Sequence, residues 1–229
     1  MKIIEVRQLV KNYKSGEIII PALRGVDFYA EKGEFIAIMG RSGAGKSTLL
    51  YQMSLLDEPT SGQILIDEVN ISNMTECEKT SYKLSNLGYI FQDYALLPEL
   101  TAIENVALPL IMLGIPRNEC LGRSKDALMR IGLNDRFNNL PSQLSGGEQQ
   151  RVGIARAIVH GPKIIFADEP TASLDSEASR MIMDIFIELN KQGETIIMVT
   201  HEPEYGELAG RLITLDDGKI SPSCCKIKK

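Results

Sequence analysis

Short, near-continuous apolar runs alternate with amphipathic stretches along most of this chain, and the two periods separate strands from helices. Residues 1–30 alternate in short β-rich runs, with Lys14-Ser15-Gly16-Glu17 as a turn. The run Glu34–Met39 (EFIAIM) reads as a buried strand, and a glycine-rich loop follows it at once. A helix is predicted from near Gly45, carrying Leu49, Leu50, Met53 and Leu56 on one face, with Glu58-Pro59-Thr60-Ser61-Gly62 as its stop. Gln63–Asp67 and Leu87–Phe91 read as short strands.

From about Tyr94 to Leu144 the pattern changes, and periodic apolar positions in Ala102–Leu110 and Lys125–Leu133 predict helices. The earlier alternation then resumes. Arg151–His160 reads as helix, Lys163–Ala167 as buried strand, Ser176–Asn190 as amphipathic helix and Thr195–Thr200 as buried strand. Strand-like Arg211–Leu215 and an Asp217-Gly218 turn end the pattern. Apolar strands separated by helices predict an α/β fold whose parallel strands are covered by helices. The expected division is a core of residues 1–93 and 145–229 with a β lobe, interrupted by a helical subdomain at 94–144. No internal repeat or low-complexity segment is evident.

Composition adds little to this picture. The 229 residues are 44% hydrophobic and 24% charged, as in ordinary globular domains. A net charge of -5 argues against a large nucleic-acid-binding surface. Cys77, Cys120, Cys224 and Cys225 lack zinc-ligand spacing and read as free thiols. The last two, beside lysines, suggest a frayed polar tail, with lipid attachment as the other reading. The opening MKIIEVRQL reads as a strand, so no signal peptide is expected. The longest apolar patch, near Val106–Leu113, is too short to cross a bilayer.

The segment GRSGAGKST at Gly40–Thr48 fits the phosphate-binding P-loop pattern through Gly40, Gly43, Gly45, Lys46, Ser47 and Thr48, with an apolar strand before it and a helix after. Successive backbone N–H groups can ring a β-phosphate, and the helix N-terminus adds a favourable dipole. Lys46 can reach the β- and γ-phosphates, and the Ser47 hydroxyl can hold Mg²⁺. The strand Ile164–Ala167 runs into Asp168-Glu169, which puts two carboxylates at the C-terminal edge of a parallel sheet, where ligands bind. Asp168 is the candidate for Mg²⁺ and Glu169 for orienting and polarising an attacking water. His201 follows a strand in the same manner; taken alone, such a histidine is more often structural. His160, in the turn His160-Gly161-Pro162, reads as structural.

Over nearly all its length the chain resembles the nucleotide-binding subunits of ABC transporters, in which several motifs fall in a fixed order. GRSGAGKST is similar to the Walker A segment, Gln92 to the Q-loop glutamine, LSGGEQQ at Leu144–Gln150 to the signature, IIFADE to Walker B, Ser173-Leu174-Asp175 to the D-loop and His201 to the switch histidine. The resemblance implies a P-loop NTPase core with an antiparallel β subdomain and a helical insertion. It implies two copies packed head to tail, each ATP lying between the P-loop of one and the signature of the other. ATP and Mg²⁺ would then be met by Tyr13, Gly40, Ser42, Gly43, Ala44, Gly45, Lys46, Ser47 and Thr48. Ser145, Gly146 and Gly147 would come from the partner copy, Asp175 would bind near the dimer axis and couple the two sites, and Mg²⁺ would be held by Ser47, Gln92 and Asp168. The catalytic set would be Glu169, His201, Gln92 and Lys46, and the Tyr13 ring would stack on adenine. Two departures stand out: Arg41 replaces the family's usual proline, and Glu148 stands where glutamine is common.

The segments FQDYALLPELTAIENVALPL at Phe91–Leu110, KSG at Lys14–Gly16 and PALRGVDFYAEKGEF resemble the lipoprotein-release, macrolide-export and cell-division group. That resemblance implies a peripheral subunit on the cytoplasmic face of a membrane, paired with a separate integral membrane permease that receives the stroke of dimer closure. Tyr94, Leu96, Leu97 and Leu100 are candidates for a partner groove; they serve equally well as filling for the insertion's own small core. Two other readings stay open: a regulatory ATPase gating a cell-division complex, and a soluble ABC ATPase acting on DNA or ribosomes. The acidic balance, the single cassette and the lack of a coiled-coil interruption speak against the last.

Overall fold

The structure, a computed structural model, describes residues 1–221 together with the backbone of Lys226–Ile227. In chain order its elements are β1 (Lys2–Ser15), β2 (Ile18–Glu31), β3 (Phe35–Met39), α1 (Lys46–Met53), β4 (Ser61–Ile66), β5 (Val69–Asn70), α2 (Glu76–Asn86), β6 (Leu87–Ile90), α3 (Ala102–Met112), α4 (Arg117–Arg130), α5 (Gly146–Ile158), β7 (Ile164–Asp168), α6 (Ser176–Lys191), β8 (Ile196–Val199), α7 (Pro203–Gly206), β9 (Arg211–Asp216), β10 (Lys219–Ile220) and β11 (Lys226–Ile227). They form two compact units, one of Met1–Ser81 with the segment that begins at Asn190, the other of Tyr82–Leu189.

The first unit holds an antiparallel sheet in the order β2-β1-β4-β5. Its long hairpin of β1 and β2 turns at Gly16-Glu17, within the expected turn. Alternate positions of the hairpin, among them Ile4, Val6, Val26 and Phe28, are buried, as a sheet with one core-facing side requires. The same unit contains β3 flanked by β8 and β9, both parallel to it, with β10 and β11 pairing antiparallel to β9. Ile36, Ala37, Ile38 and all of β8 are fully buried, which explains why these strands read as unbroken apolar runs. The reading of Cys224 and Cys225 falls outside the described residues.

Helix α1 starts where expected but ends at Met53. Leu55 takes a left-handed conformation (φ 61°), and Leu56, expected on the buried face, is 45% exposed. The chain turns away here because Lys11 and the Gln52 amide both donate to the Asp57 carboxylate, at 2.7 and 2.9 Å. Helix α2 has no buried residue and therefore no apolar stripe to predict it. Its first turn is held by the Thr75 hydroxyl and backbone N–H, both donating to Glu78 at 2.8 Å.

The second unit pairs β6 with β7 in parallel and carries α3, α4, α5 and α6. Helix α4 begins at Arg117, ahead of the expected Lys125, because its first two turns are largely polar. Helix α3 is entered through a Thr101–Glu104 capping box. No helix among the described residues is long and apolar enough to cross a membrane.

Candidate active site

Strands β3 and β8 run parallel in register, with Ile38 opposite Val199. Both therefore end at one sheet edge, from which the glycine-rich loop after Met39 and the segment of His201 after Thr200 both continue within the first unit. The loop's path is sterically set. A Cβ on Gly40 would lie 2.1 Å from the Leu215 carbonyl oxygen, and one on Gly45 (φ 97°) 2.6 Å from that of Ala22. The Gly218 N–H donates to the Ala44 carbonyl at 3.1 Å and pins the buried centre of the loop. Arg41, Ser42 and Gly43 are exposed, and the space beside Gly43 is open. Arg41 thus presents its side chain to solvent while its carbonyl accepts the Ala44 N–H at 3.2 Å.

Lys46 is 7% exposed, and its ammonium donates to the Arg41 carbonyl at 3.2 Å. A buried cation facing a neutral acceptor calls for an anion. An exposed backbone nest at the start of α1 supplies N–H donors for one. The loop therefore fits phosphate. Ser47 and Thr48 lie part-buried in the first turn of α1.

Tyr13 lies on β1 directly opposite Ile20 and is 39% exposed. Its hydroxyl donates to Asp57 at 2.9 Å and also bonds the Thr48 hydroxyl, which ties the ring to the P-loop helix. The Lys11 ammonium stands 4.9 Å from the ring centroid. Burial pushes the Tyr13 hydroxyl pKa above its ordinary value, the Thr48 bond opposes that, and Asp57 reinforces it.

In the second unit, β6 and β7 pair Ile90 with Ala167. Gln92 follows two residues after Ile90 and Glu169 two after Ala167, both beyond the last paired positions of the two strands. Asp168, the last residue of β7, is 7% exposed and accepts from the Tyr89 hydroxyl at 3.4 Å. Glu169 adopts a left-handed backbone (φ 44°), which costs a residue with a side chain about 1–2 kcal/mol. Among the described residues no cluster of three His, Cys, Asp or Glu side chains could hold a metal. Ser47 in the first unit and Gln92 and Asp168 in the second each carry an oxygen donor of the kind Mg²⁺ takes.

The signature segment caps α5. Ser145 is its N-cap and accepts the Glu148 N–H at 3.2 Å, while Glu148 accepts the Ser145 N–H at 2.8 Å. The helix starts at Gly146, ahead of the expected Arg151. Arg136 donates to Glu148 at 2.9 Å. The Ser145 backbone bond, against opposing burial and with help from Arg136, holds the Glu148 carboxyl below the ordinary carboxylate range. Gly146 faces the Tyr94 hydroxyl and Gly147 faces Ala178 of α6; a Cβ on either would come within 2.9 Å of that neighbour. Asp175 caps α6, its Oδ1 accepting the Ala178 N–H at 2.8 Å.

The structure thus groups Tyr13, Gly40–Thr48 and His201 in one unit, and Gln92, Ser145–Gly147, Asp168, Glu169 and Asp175 in the other. The S-x-x-E spacing at Ser145–Glu148 signals the capping box but is masked by two glycines. Asp57, Tyr89, Gln150 and Arg156 carry no local signal, since each acts on residues distant in sequence. His160 is held structurally, its Nε2 donating to the Leu87 carbonyl at 3.1 Å.

The ABC transporter family model matches residues 23–172. The lipoprotein-releasing system ATP-binding protein LolD of Aquifex aeolicus is 46% identical over 198 residues, 86% of this chain and 88% of that protein. The macrolide export ATP-binding/permease protein MacB of Aggregatibacter actinomycetemcomitans is 45% identical over 220 residues, 96% of this chain. Those residues span only 34% of MacB's own length. The dimeric post-hydrolysis structure of the ATP-binding cassette MJ0796 with ADP and Pi is 41% identical and superposes with a TM-score of 0.88, covering 95% of this chain and 96% of that one. The P-loop, the strand-end carboxylates and the capped signature helix lie in a chain that belongs to the ABC transporter family, as an ATP-binding subunit close to the LolD and MacB ATPases.

Proposed function

We propose that this chain is the ATP-binding and ATP-hydrolysing subunit of an ABC membrane complex, coupling head-to-tail closure of two copies to export or extraction of a substrate by a separate membrane permease. The observation that carries the reading is the parallel pairing of β6 and β7, whose last pair, Ile90 with Ala167, leads both strands off one sheet edge toward Gln92 and Glu169, next to a nearly buried Asp168. A carboxylate and a carboxamide that follow the same parallel strand edge suit the positioning of a water for attack on a phosphoryl group.

In this reading Lys46 and the amides of Gly40–Thr48 hold the triphosphate, and Ser42 and Ala44 contribute main-chain donors. Ser47, Gln92 and Asp168 hold Mg²⁺, which supplies charge neutralisation at the phosphates when bound. Glu169 orients and polarises water, and His201 steadies the γ-phosphate. Tyr13 stacks on adenine. Ser145, Gly146 and Gly147 meet the nucleotide of the second copy, the start of α5 facing its γ-phosphate, and Asp175 lies near the dimer axis and couples the two sites. The relatives named for lipoprotein release and macrolide export support a membrane partner, and with it a peripheral place on the cytoplasmic face. The net charge of -5 gives no support to nucleic acid as partner.

The test is E169Q. With ATP and Mg²⁺ this variant is expected to accumulate as a dimer in light scattering and to release almost no phosphate, while the wild type turns over. Tagged E169Q should then retain a membrane permease from native membranes when ATP is present. An E169Q chain that stays monomeric and hydrolyses at the wild-type rate would sink the reading.

A further inference from the structure

Gln150 lies on α5, one turn beyond the signature glycines, and is wholly buried. Its Nε2 donates to two main-chain carbonyls, that of Pro170 at 2.9 Å and that of Phe91 at 3.3 Å. Pro170 follows Glu169, and Phe91 precedes Gln92. One carboxamide on the signature helix therefore holds the backbone on the near side of both proposed water-positioning residues. A glutamine amide has two N–H donors, and both carbonyls can only accept, so the arrangement uses the full donor capacity of the group.

A second clamp reinforces the first. Arg156, two turns along the same helix, donates to the Ala95 carbonyl at 2.6 Å and to the Tyr94 carbonyl at 2.9 Å. Tyr94 and Ala95 are both left-handed, with φ of 63° and 47°, as Glu169 is at 44°. Strained backbone persists where surrounding groups over-determine it. Here Gln150 and Arg156 of α5 supply such groups, bonding the backbone beside Gln92 and beside Glu169.

We infer that Gln150 is a positioning residue that couples the two nucleotide sites of the dimer. It transmits engagement of the signature helix by the second copy's nucleotide to Gln92 and Glu169, which act on the nucleotide held by this chain's own P-loop. The inference rests on the functional reading above and deepens it. Coupling of this kind is a free energy between two sites, so it must appear in cooperativity and not in turnover alone. Methionine keeps the length and volume of Gln150 but donates no hydrogen bond, which leaves the two carbonyls unpaired.

The experiment compares wild type and Q150M in Mg²⁺-ATP titrations of phosphate release, with binding of a fluorescent ATP analogue and the thermal midpoint read on the same samples. Q150M is expected to lower kcat on the order of 10- to 100-fold, as misplacement by about 1 Å does. Its Hill coefficient for ATP should fall to about one, with analogue affinity within about twofold of wild type. A folded Q150M whose Hill coefficient equals the wild type's overturns the inference, whatever its kcat. A wild-type chain that releases no phosphate overturns the functional reading and the inference with it. Should Q150M not fold, amide exchange on the E169Q chain decides: ATP with Mg²⁺ should slow exchange in residues 91–95, 146–150 and 170–174 together. Protection of 146–150 alone overturns the inference.

Discussion

The Tyr13 hydroxyl donates to the Asp57 carboxylate at 2.9 Å across 44 residues of sequence. Lys11 closes the triangle, bonding the other Asp57 oxygen at 2.7 Å and lying over the Tyr13 ring. The ring proposed to meet adenine is thus oriented before any base arrives, and a ring already fixed loses little freedom on binding. D57A should loosen the ring, leaving it only the Thr48 bond, and leave the Lys11 ammonium without its carboxylate. Its expected effect is a rise of about 2- to 10-fold in the Kd of a fluorescent ATP analogue, the range of one aromatic contact. Y13A should weaken binding at least as much, and Y13F less. Equal affinity in Y13A and wild type would remove Tyr13 from the base site.

At the start of α5 the departure from the family's glutamine has a structural consequence. Glu148 closes the capping box on Ser145 and pairs with Arg136. Its folded-state pKa lies below the ordinary value, so its contribution is present above the ordinary carboxylate range and is lost as pH falls through the lowered value. E148A should destabilise the chain by about 1 kcal/mol through loss of the cap. E148Q can still accept the Ser145 N–H and loses only a half-exposed ion pair, worth about 0–1 kcal/mol. Urea midpoints near neutral pH and in acid should show E148Q close to wild type in the first condition and less acid-sensitive between the two. Identical acid sensitivity would place the titration elsewhere.

Much of this architecture is legible in the chain because it lies in consecutive residues. Strands β3, β7 and β8 are apolar at nearly every position, since they are buried almost throughout, and their ends name Gly40, Asp168 and His201 as edge residues. What escapes is structure built from polar groups or from distant partners. Helix α2 buries nothing and so leaves no periodic trace. The first turn of α5 hides behind two glycines, whose low helix propensity is overridden by the Ser145–Glu148 cap. The early end of α1 depends on Asp57 being gathered by Lys11, from another strand. Gln150 and Arg156 look like ordinary helix residues until the carbonyls they hold are brought to them by the fold.

His160 gives a second pH dependence with a different origin. Burial pushes its ring pKa below the ordinary value, the Leu87 carbonyl opposes this and the charge of Arg123 adds to it. Its Nδ1 is buried without a hydrogen-bond partner. The folded chain keeps the ring neutral at a pH where the unfolded chain protonates it. Stability is therefore full above the ordinary histidine pKa and is lost as pH falls toward the depressed one. The thermal midpoint of wild type should drop more steeply than that of H160Q between about pH 7 and about pH 5. Parallel slopes for the two proteins would assign the loss to other groups.

Asn105 organises the loop that carries the candidate partner groove. It is fully buried on α3, and its Oδ1 accepts the Leu97 N–H at 2.8 Å. Its Nδ2 donates to the carbonyls of Leu97, Leu100 and Thr101 at 3.1, 2.9 and 3.1 Å. This single side chain closes residues 97–101 into a fixed shape and holds Leu97 47% exposed at its surface. An exposed leucine on a rigid loop is a better docking feature than one on a mobile loop, because no ordering entropy is lost on binding. N105A removes every one of these bonds and leaves buried backbone groups unpaired, at a cost of about 1–3 kcal/mol. The isolated N105A chain should keep its ATPase rate within about twofold, since the Asn105 bonds reach Leu97, Leu100 and Thr101 and no residue of the strand ends, while capture of the proposed permease from membranes falls at least about tenfold. L97A should reduce capture without lowering the thermal midpoint, which separates the loop's surface from its stability. If N105A and L97A both retain the permease as wild type does, the groove lies elsewhere on the chain and these leucines fill the helical unit's own core.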